Sequence, residues 1–403
     1  MSEDFENLHY QLYLAYYAAR KNKRNTINQL KFEVDLEQNL YKLAKQIITR
    51  QYTPKPSIAF MVFKPVKREI FAADFVDRVV HHLLYKAIYS DIEKILIHDT
   101  YSCRKNKGTL YGIKRMQKFM RSCTENYQKQ AYVLKLDIKG YFMHMHHQII
   151  YEQIISVIKN HNLDLELSTL DYLLKKVIFN DVTQNCRIKG SKKDWVDLPH
   201  DKSLFGKPGG VGLPIGNLTS QMFGNLYLNE LDHFIKQDLD IKYYGRYVDD
   251  MVFMSQDQNK LKTLIPKVNA SLNKVGLVLH PKKIYMQSID KGFLFLGQYI
   301  KPYRSYISNR TKHNFYQALG NACTLLFRTE AIAWNDIKSI QSTINSYLGI
   351  LRHANAFNLM KHGMQRMPGR FYCFFRFVPD RYKIYINQEF WQWHYSLTYQ
   401  STN

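Results

Sequence analysis

The chain has 403 residues, 45% of them hydrophobic, enough for two or three packed subdomains. Lysine and arginine total 57 against 34 acids, and the resulting +23 predicts a polyanionic partner held with salt-sensitive affinity, most simply nucleic acid. No run of about 18 apolar residues occurs and no polybasic block flanks an amphipathic anchor, which argues against a membrane partner. The 30 Tyr and 23 Phe among basic residues suit base stacking beside phosphate contact, although an AT-rich coding genome inflates Lys, Asn, Ile and Tyr as well. Five scattered cysteines without a C-x-x-C pair suggest neither a zinc ribbon nor a disulfide framework. The polar, acidic start MSEDFENLHY has no signal-peptide core, so a reducing, cytoplasmic setting is expected.

In chain order, the N-terminal stretch reads as helical, with a basic break at Arg20–Arg24 and an end at Thr53-Pro54-Lys55-Pro56. Short strands are predicted at Ile58–Phe63 and Arg68–Ala72 around Lys64-Pro65. Asp74–Ile97 carries a helical stripe of Phe75, Val79, Leu83 and Ala87, with Val76, Val80, Leu84 and Ile88 beside it. Tyr132–Ile138 alternates as a strand with Val133, Lys135 and Asp137 on one row. Asp181–Lys207 is polar and basic, a loop or insertion. Gly206–Asn217 is glycine-rich and leads into a long predicted helix with Asn217 as N-cap, running through Leu218, Met222, Leu226, Leu231 and Ile235. Lys242–Ser255 reads as strand, tight turn, strand. A helix at about 260–275, a strand pair at Ile284–Ser288 and Gly292–Ile300, and an aromatic, helical C-terminal third follow. Helices mixed with short antiparallel strands give an α+β class.

The turn of that hairpin carries Tyr247-Val248-Asp249-Asp250. Adjacent carboxylates repel, a cost that divalent cations would offset; Asp-Asp is also ordinary turn chemistry. Asp137, at the end of its strand, supplies a third carboxylate. Three such ligands could hold two Mg²⁺ ions for in-line nucleotidyl transfer, with Mn²⁺ as a substitute. Gly210, Gly212 and Gly216 do not form a dinucleotide fingerprint; they suit either close approach to a base pair or a plain turn into the helix. His81 and His82 lie about 100° apart on a helix and are poor co-ligands. His144, His146 and His147 lack a partner at zinc-site spacing.

The ordered blocks KPVKREIFAADFVDRVVHHLL, DTYSCRKNKGT, YVLKLDIKGYF, GLPIGNLTSQMFGNLYLNELDHFIK, YGRYVDD, LHPKKI and FLFLG resemble those of a reverse transcriptase over roughly residues 55–300. The resemblance implies a right-hand polymerase. Its fingers would lie at 1–130, a palm at 131–300 with a fingers insertion at about 150–205, and a helical thumb and extension at 301–403. It implies Asp137, Asp249 and Asp250 as metal ligands, with the Ile138 backbone helping to hold metal and triphosphate. Phe142 takes the place of the aromatic gate against a ribose 2′-hydroxyl, with Tyr141 beside it as the alternative. Lys67 and Arg68 match the basic residues that grip the triphosphate. Lys283, with Lys282 as a substitute, matches the lysine near the leaving pyrophosphate. Phe295-Leu296-Gly297 matches the primer grip.

Ile215, with Gly216 and Gln221 in the same nucleotide-contacting block, stands where many reverse transcriptases carry glutamine. An apolar residue there weakens polar checking of the nascent base pair. This block and Asp-Arg-Val-Val-His-His are most similar to the diversity-generating retroelement lineage of bacteria, whose enzymes copy a template RNA into error-prone cDNA with a small basic accessory protein. Bacterial defence reverse transcriptases, which act with a noncoding RNA, share such blocks. The expected partners are thus a cognate structured or noncoding RNA, deoxynucleoside triphosphates, the cDNA product, and an accessory protein or second defence subunit. An oligomer is compatible with all of these. Met143–His147 departs from the retroelement pattern. A noncatalytic, maturase-like RNA-binding protein is the alternative from another class.

Overall fold

The computed structural model describes residues 3–21, 26–63, 66–158, 165–328 and 332–399. Most of the basic run Arg20–Arg24, and Lys64-Pro65, lie outside them. The N-terminal helices are α1 (Glu3–Arg20), α2 (Ile27–Val34) and α3 (Leu36–Ile48). They form because apolar side chains recur at helical spacing: Leu8, Leu12, Ala15 and Ala19 are buried on α1, and Leu40, Leu43, Ala44 and Ile47 on α3. Strands β1 (Ser57–Val62) and β2 (Arg68–Ala72) pair antiparallel, Ile58 opposite Ala72 and Val62 opposite Arg68. Asp74 then caps α4 (Phe75–Ile95), its carboxylate accepting from the Val76 N–H at 3.1 Å.

After α5 (Thr109–Cys123) come β3 (Tyr132–Asp137), α6 (His147–Ile158) and α7 (Leu167–Ile178). The stretch expected as a loop contains a strand, β4 (Cys186–Ile188), which lies parallel to β1 with Ser57 opposite Cys186. Its pattern was too short and polar to mark it. The helix expected to run on from Asn217 is divided. It forms α8 (Leu218–Tyr227) and α9 (Asn229–Lys236), because Leu228 leaves helical geometry at φ −102°, ψ 9°. On the second half Leu231 and Ile235, both on the expected stripe, are buried together with Asp232. Asn217 occupies the N-cap position without a side-chain cap bond.

Strands β5 (Tyr243–Tyr247) and β6 (Asp250–Ser255) form the expected hairpin, followed by α10 (Gln258–Lys274) and β7 (Tyr285–Ser288). The sheet order is β5-β6-β3-β7. β6 is an inner strand buried on both faces, which explains its unbroken apolar run Met251–Met254. β7 therefore does not pair with the next strand, as its proximity in sequence had suggested. β8 (Phe293–Phe295), β9 (Gln298–Lys301) and β10 (Arg304–Ile307) make a separate antiparallel meander.

The remainder is α11 (Asn309–Arg328), α12 (Trp334–Leu351), α13 (Phe357–Gln365), α14 (Gly369–Phe374), β11 (Phe375–Val378), β12 (Lys383–Ile386) and α15 (Gln388–Tyr399). The β11–β12 hairpin interrupts the expected all-helical end. Phe315, Ile344, Leu348, Met360, Phe371 and Ile384 share a core there. The chain divides into two compact units, Met1–Gly108 with Leu134–Met286, and Thr109–Val133 with Gln287–Asn403. Among the described residues no helix is long and apolar enough to cross a membrane.

Candidate active site

All three sequence-selected aspartates belong to the first unit. Asp137 ends β3 and Asp250 begins β6, while Val248 and Asp249 form the two-residue turn between Tyr247 and Asp250. Because β3 and β6 are neighbours, strand pairing alone gathers the carboxylates. The electrostatics register this convergence. Burial first, then the charge of Asp137 and of Asp250, push the Asp249 carboxyl up to about 6. Burial also raises Asp250, against the pull of Lys135.

Two lysines answer this charge. Lys283 Nζ donates to both carboxylate oxygens of Asp137, at 2.9 and 3.0 Å. Lys135 Nζ lies 3.3 Å from Asp250 Oδ1. The LHPKK segment is pinned beside the end of β3: His280 N donates to Asp137 O at 2.8 Å, Lys139 N donates to Val278 O at 3.0 Å, and Ile138 bridges Leu279. That backbone register, with the His280 ring accepting from Lys282 N, brings Lys283 rather than Lys282 to Asp137. Among the described residues no three His, Cys, Asp or Glu side chains stand grouped to hold a metal as they are. The hard oxygen donors fit a divalent ion, provided that Lys283 releases Asp137.

The turn is strained. Val248 has φ 57°, at the first central position of a two-residue hairpin loop, where glycine is the ordinary choice. A β-branched residue there costs roughly 1–2 kcal/mol. What holds it is Arg246, whose Nη1 donates to Val248 O at 3.0 Å. Arg246 is itself fully buried. Its Nε donates to Asp232 Oδ1 at 2.9 Å, and its Nη2 also donates to Asn225 O at 3.1 Å. Burial works against the guanidinium's charge, but Asp232 more than offsets it, and the pKa of Arg246 is raised. Tyr244 Oη donates to the same Asp232 at 2.6 Å. Neither Arg246 nor Asp232 was selected from sequence. A buried pair between α9 and β5 leaves no spacing signal.

The residues after Asp137 form a second layer. Tyr141 is buried and its hydroxyl donates to Gly224 O, whereas Phe142 is half-buried, so Phe142 is the aromatic presented. Its ring sits tightly against α8: a Cβ on Gly224 would come within 3.1 Å of Phe142 Cε1. The histidine run fastens the glycine-rich loop. His147 N donates to Gly210 O at 2.8 Å, Gly212 N to Met145 O at 2.7 Å, and Leu213 N to Phe142 O at 2.7 Å. His147 Nε2 bonds Gly212 O at 2.8 Å. The run thus clamps the loop through its backbone and through the His147 ring.

Ile215 packs on the cluster containing Phe71, and its carbonyl accepts from Phe71 N at 3.0 Å. Gly216, at φ 128°, lies so close that a Cβ would meet Phe71 O at 3.0 Å. Gln221 is exposed and accepts from Cys103 Sγ at 3.0 Å. Arg68 is exposed, while Lys67 donates to Val196 O in the insertion. That insertion is anchored by Glu69, a third residue missed from sequence. It is almost fully buried and accepts from Trp195 Nε1 (2.6 Å), Ser203 Oγ (2.7 Å) and Leu204 N (2.7 Å). Phe295, Leu296 and Gly297 belong to the second unit. Leu296 and Gly297, at φ 47° and 82°, make the tight β8–β9 turn.

Residues 68–300, more than half of the chain, match the family model described as reverse transcriptase (RNA-dependent DNA polymerase). The chain belongs to the reverse transcriptase family. A reverse transcriptase is a nucleotidyltransferase of right-hand polymerase fold, and its family generally uses divalent metal ions. No curated protein matches the chain. Among solved structures it is similar to the apo telomerase of Candida tropicalis, at 12% identity and a TM-score of 0.47, covering 81% of this chain and 62% of that one. A C-terminally truncated form of that telomerase matches at 13% identity and a TM-score of 0.44, over 68% and 60% of the two chains. Telomerase from Candida albicans in complex with a TWJ fragment of telomeric RNA matches at 12% and 0.42, over 77% and 55%. This reverse transcriptase therefore spans less than two thirds of the length of those solved relatives.

Proposed function

We propose that this chain copies a cognate RNA into cDNA by two-metal nucleotidyl transfer, with Mg²⁺ as the ion and Mn²⁺ as its substitute. The observation that carries the reading is the convergence of Asp137, Asp249 and Asp250, which raises Asp249 while two lysines supply the counter-charge. Asp137, Asp249, Asp250 and the Ile138 carbonyl would hold the ions, which supply charge to activate a primer 3′-hydroxyl and to stabilise pyrophosphate. The 3′-hydroxyl gives its proton to solvent water, its oxygen attacks the α-phosphorus of a deoxynucleoside triphosphate, and the bond to the bridging oxygen of pyrophosphate breaks. Lys283, released from Asp137, donates a proton to that leaving group. Lys67 and Arg68 grip the triphosphate, Phe142 excludes a 2′-hydroxyl, and Ile215, Gly216 and Gln221 border the nascent pair. Phe295, Leu296 and Gly297 support the primer. The fingers, palm and thumb lie as read from sequence, in a cytoplasmic bacterial enzyme.

Ile215, an apolar residue packed on Phe71, favours low fidelity and with it the retroelement role, served by a small basic accessory protein. A defence enzyme working from a noncoding RNA shares the same site. Purified protein with its RNA, Mg²⁺ and deoxynucleotides should extend a primer, and Asp137→Ala should abolish extension. Extension that survives Asp137→Ala refutes the site. Biological activity that survives Asp249→Ala with Asp250→Ala favours the maturase-like alternative.

A further inference from the structure

The largest cavity among those described lies wholly within the second unit and contains none of the residues discussed above. Its volume is about 850 Å³, and it opens between the end of α5 with its following turn and the β9–β10 hairpin. Lys118, Arg121, Lys301 and Arg304 line it, together with Tyr127 and Tyr303. The lining's carboxylate, Glu125, is taken up by Lys129 at 2.8 Å, so the groove is strongly positive. Arg121 is held in plane by its Nε donating to Asn126 Oδ1 at 2.7 Å.

The aromatic pair is displayed at a cost. Tyr303 sits at the second central position of the Pro302–Tyr303 turn with φ 65°, where glycine or asparagine is usual, and is 80% exposed. Across from it, Glu125, Asn126 and Tyr127 are three consecutive left-handed residues, at φ 49°, 61° and 67°. The ring centroids of Tyr127 and Tyr303 are 4.2 Å apart. Bulky side chains in left-handed backbone persist only where the surroundings impose them, and such strain gathers at ligand sites. Four cations around an exposed ring combine the two chemistries of single-strand binding: phosphate pairing and base stacking. A lipid surface would not fill a cavity, and an acidic peptide would leave the rings unused.

We propose that this groove is a second nucleic-acid site, binding an unpaired RNA segment with a base on Tyr303 and phosphates on Lys118, Arg121, Lys301 and Arg304. The choice of RNA rests on the polymerase reading; the groove's charge and rings do not. The probe is a fluorescein-labelled 12-nucleotide oligouridylate carrying 4-thiouridine, mixed with the full chain in EDTA so that catalysis plays no part. Irradiation should cross-link it to the peptides bearing Tyr127 and Tyr303. Tyr303→Gly with Arg304→Gln should weaken binding by about tenfold and lower the salt slope by about one. Glycine suits the turn's positive φ, so Tyr303→Gly alone should leave the unfolding midpoint no lower. Unchanged affinity in the double variant, cross-links that avoid both peptides, or displacement by uridine monophosphate at equal nucleotide concentration would each overturn the site. A chain that cross-links through Tyr303 yet never extends a primer keeps the groove and loses the polymerase reading.

Discussion

Arg246 and Asp232 form an ion pair in which neither side chain has exposed surface, and the same guanidinium holds the carbonyl of Val248 in the aspartate-bearing turn. The pair links stability to catalysis. Arg246→Met leaves Asp232 buried without its cation and should destabilise the protein by about 3–5 kcal/mol. Arg246→Met with Asp232→Leu should recover part of that loss, because both charges' desolvation costs vanish together while the buried Tyr244 hydroxyl loses its acceptor. Primer extension should stay impaired in the double variant, since Val248 still lacks its donor. A double variant with full extension would separate the pair from the turn. Chemical denaturation and single-turnover extension make the two measurements.

Lys283 competes with metal for Asp137. The pair is more than half exposed on the lysine side, so its worth is at most about 1 kcal/mol. Lys283→Ala should therefore tighten Mn²⁺ binding, measured by electron paramagnetic resonance, by up to about fivefold. Turnover should fall at saturating metal because the proton donor is gone. A loss of both affinity and turnover would show that Lys283 instead helps to build the metal site.

Phe142 is half-buried and packed against Gly224, where an added Cβ would come within 3.1 Å of its ring. Phe142→Ala should raise incorporation of ribonucleotides relative to deoxynucleotides by about 10–200-fold, the range of a single lost steric contact. Gly224→Ala should disturb the same selectivity by displacing the ring. Unaltered sugar discrimination in both variants would remove Phe142 from the gate.

Asp77 supplies a pH signature. Burial pushes its carboxyl up to about 7, against the bonds it accepts from Tyr52 Oη at 2.7 Å and Lys55 N at 2.9 Å. A carboxyl with a raised pKa holds its proton longer in the folded state. Its contribution is therefore most favourable below about 4 and is lost as pH rises toward 7, at up to about 1.4 kcal/mol per unit. Asp77→Asn, which cannot ionise, should flatten that part of the curve. Urea midpoints at pH 5 and pH 8 measure it, and an equal slope in variant and parent would assign the dependence to other groups.

The local features were legible in the sequence because their causes are local. Alternation over six residues makes β3, Asp74 caps α4, and a two-residue loop closes the hairpin at Val248-Asp249, so the three aspartates could be named and their convergence anticipated. Periodicity reports which residues face inward; it does not report what they meet. The break at Leu228 in the helical stretch after Asn217, written in no residue type, was invisible for that reason, as was β4 beside β1.

By itself the sequence determined the family blocks, the carboxylates and the positive charge, since each is a property of a short segment or of composition. Only the tertiary structure decided that Lys283 rather than Lys282 meets Asp137, that Asp232 neutralises Arg246 beneath the turn, and that Tyr127 meets Tyr303 over a basic groove. Each of these joins segments separated in sequence, and the desolvation and packing that select such partners exist only once the chain has closed around them.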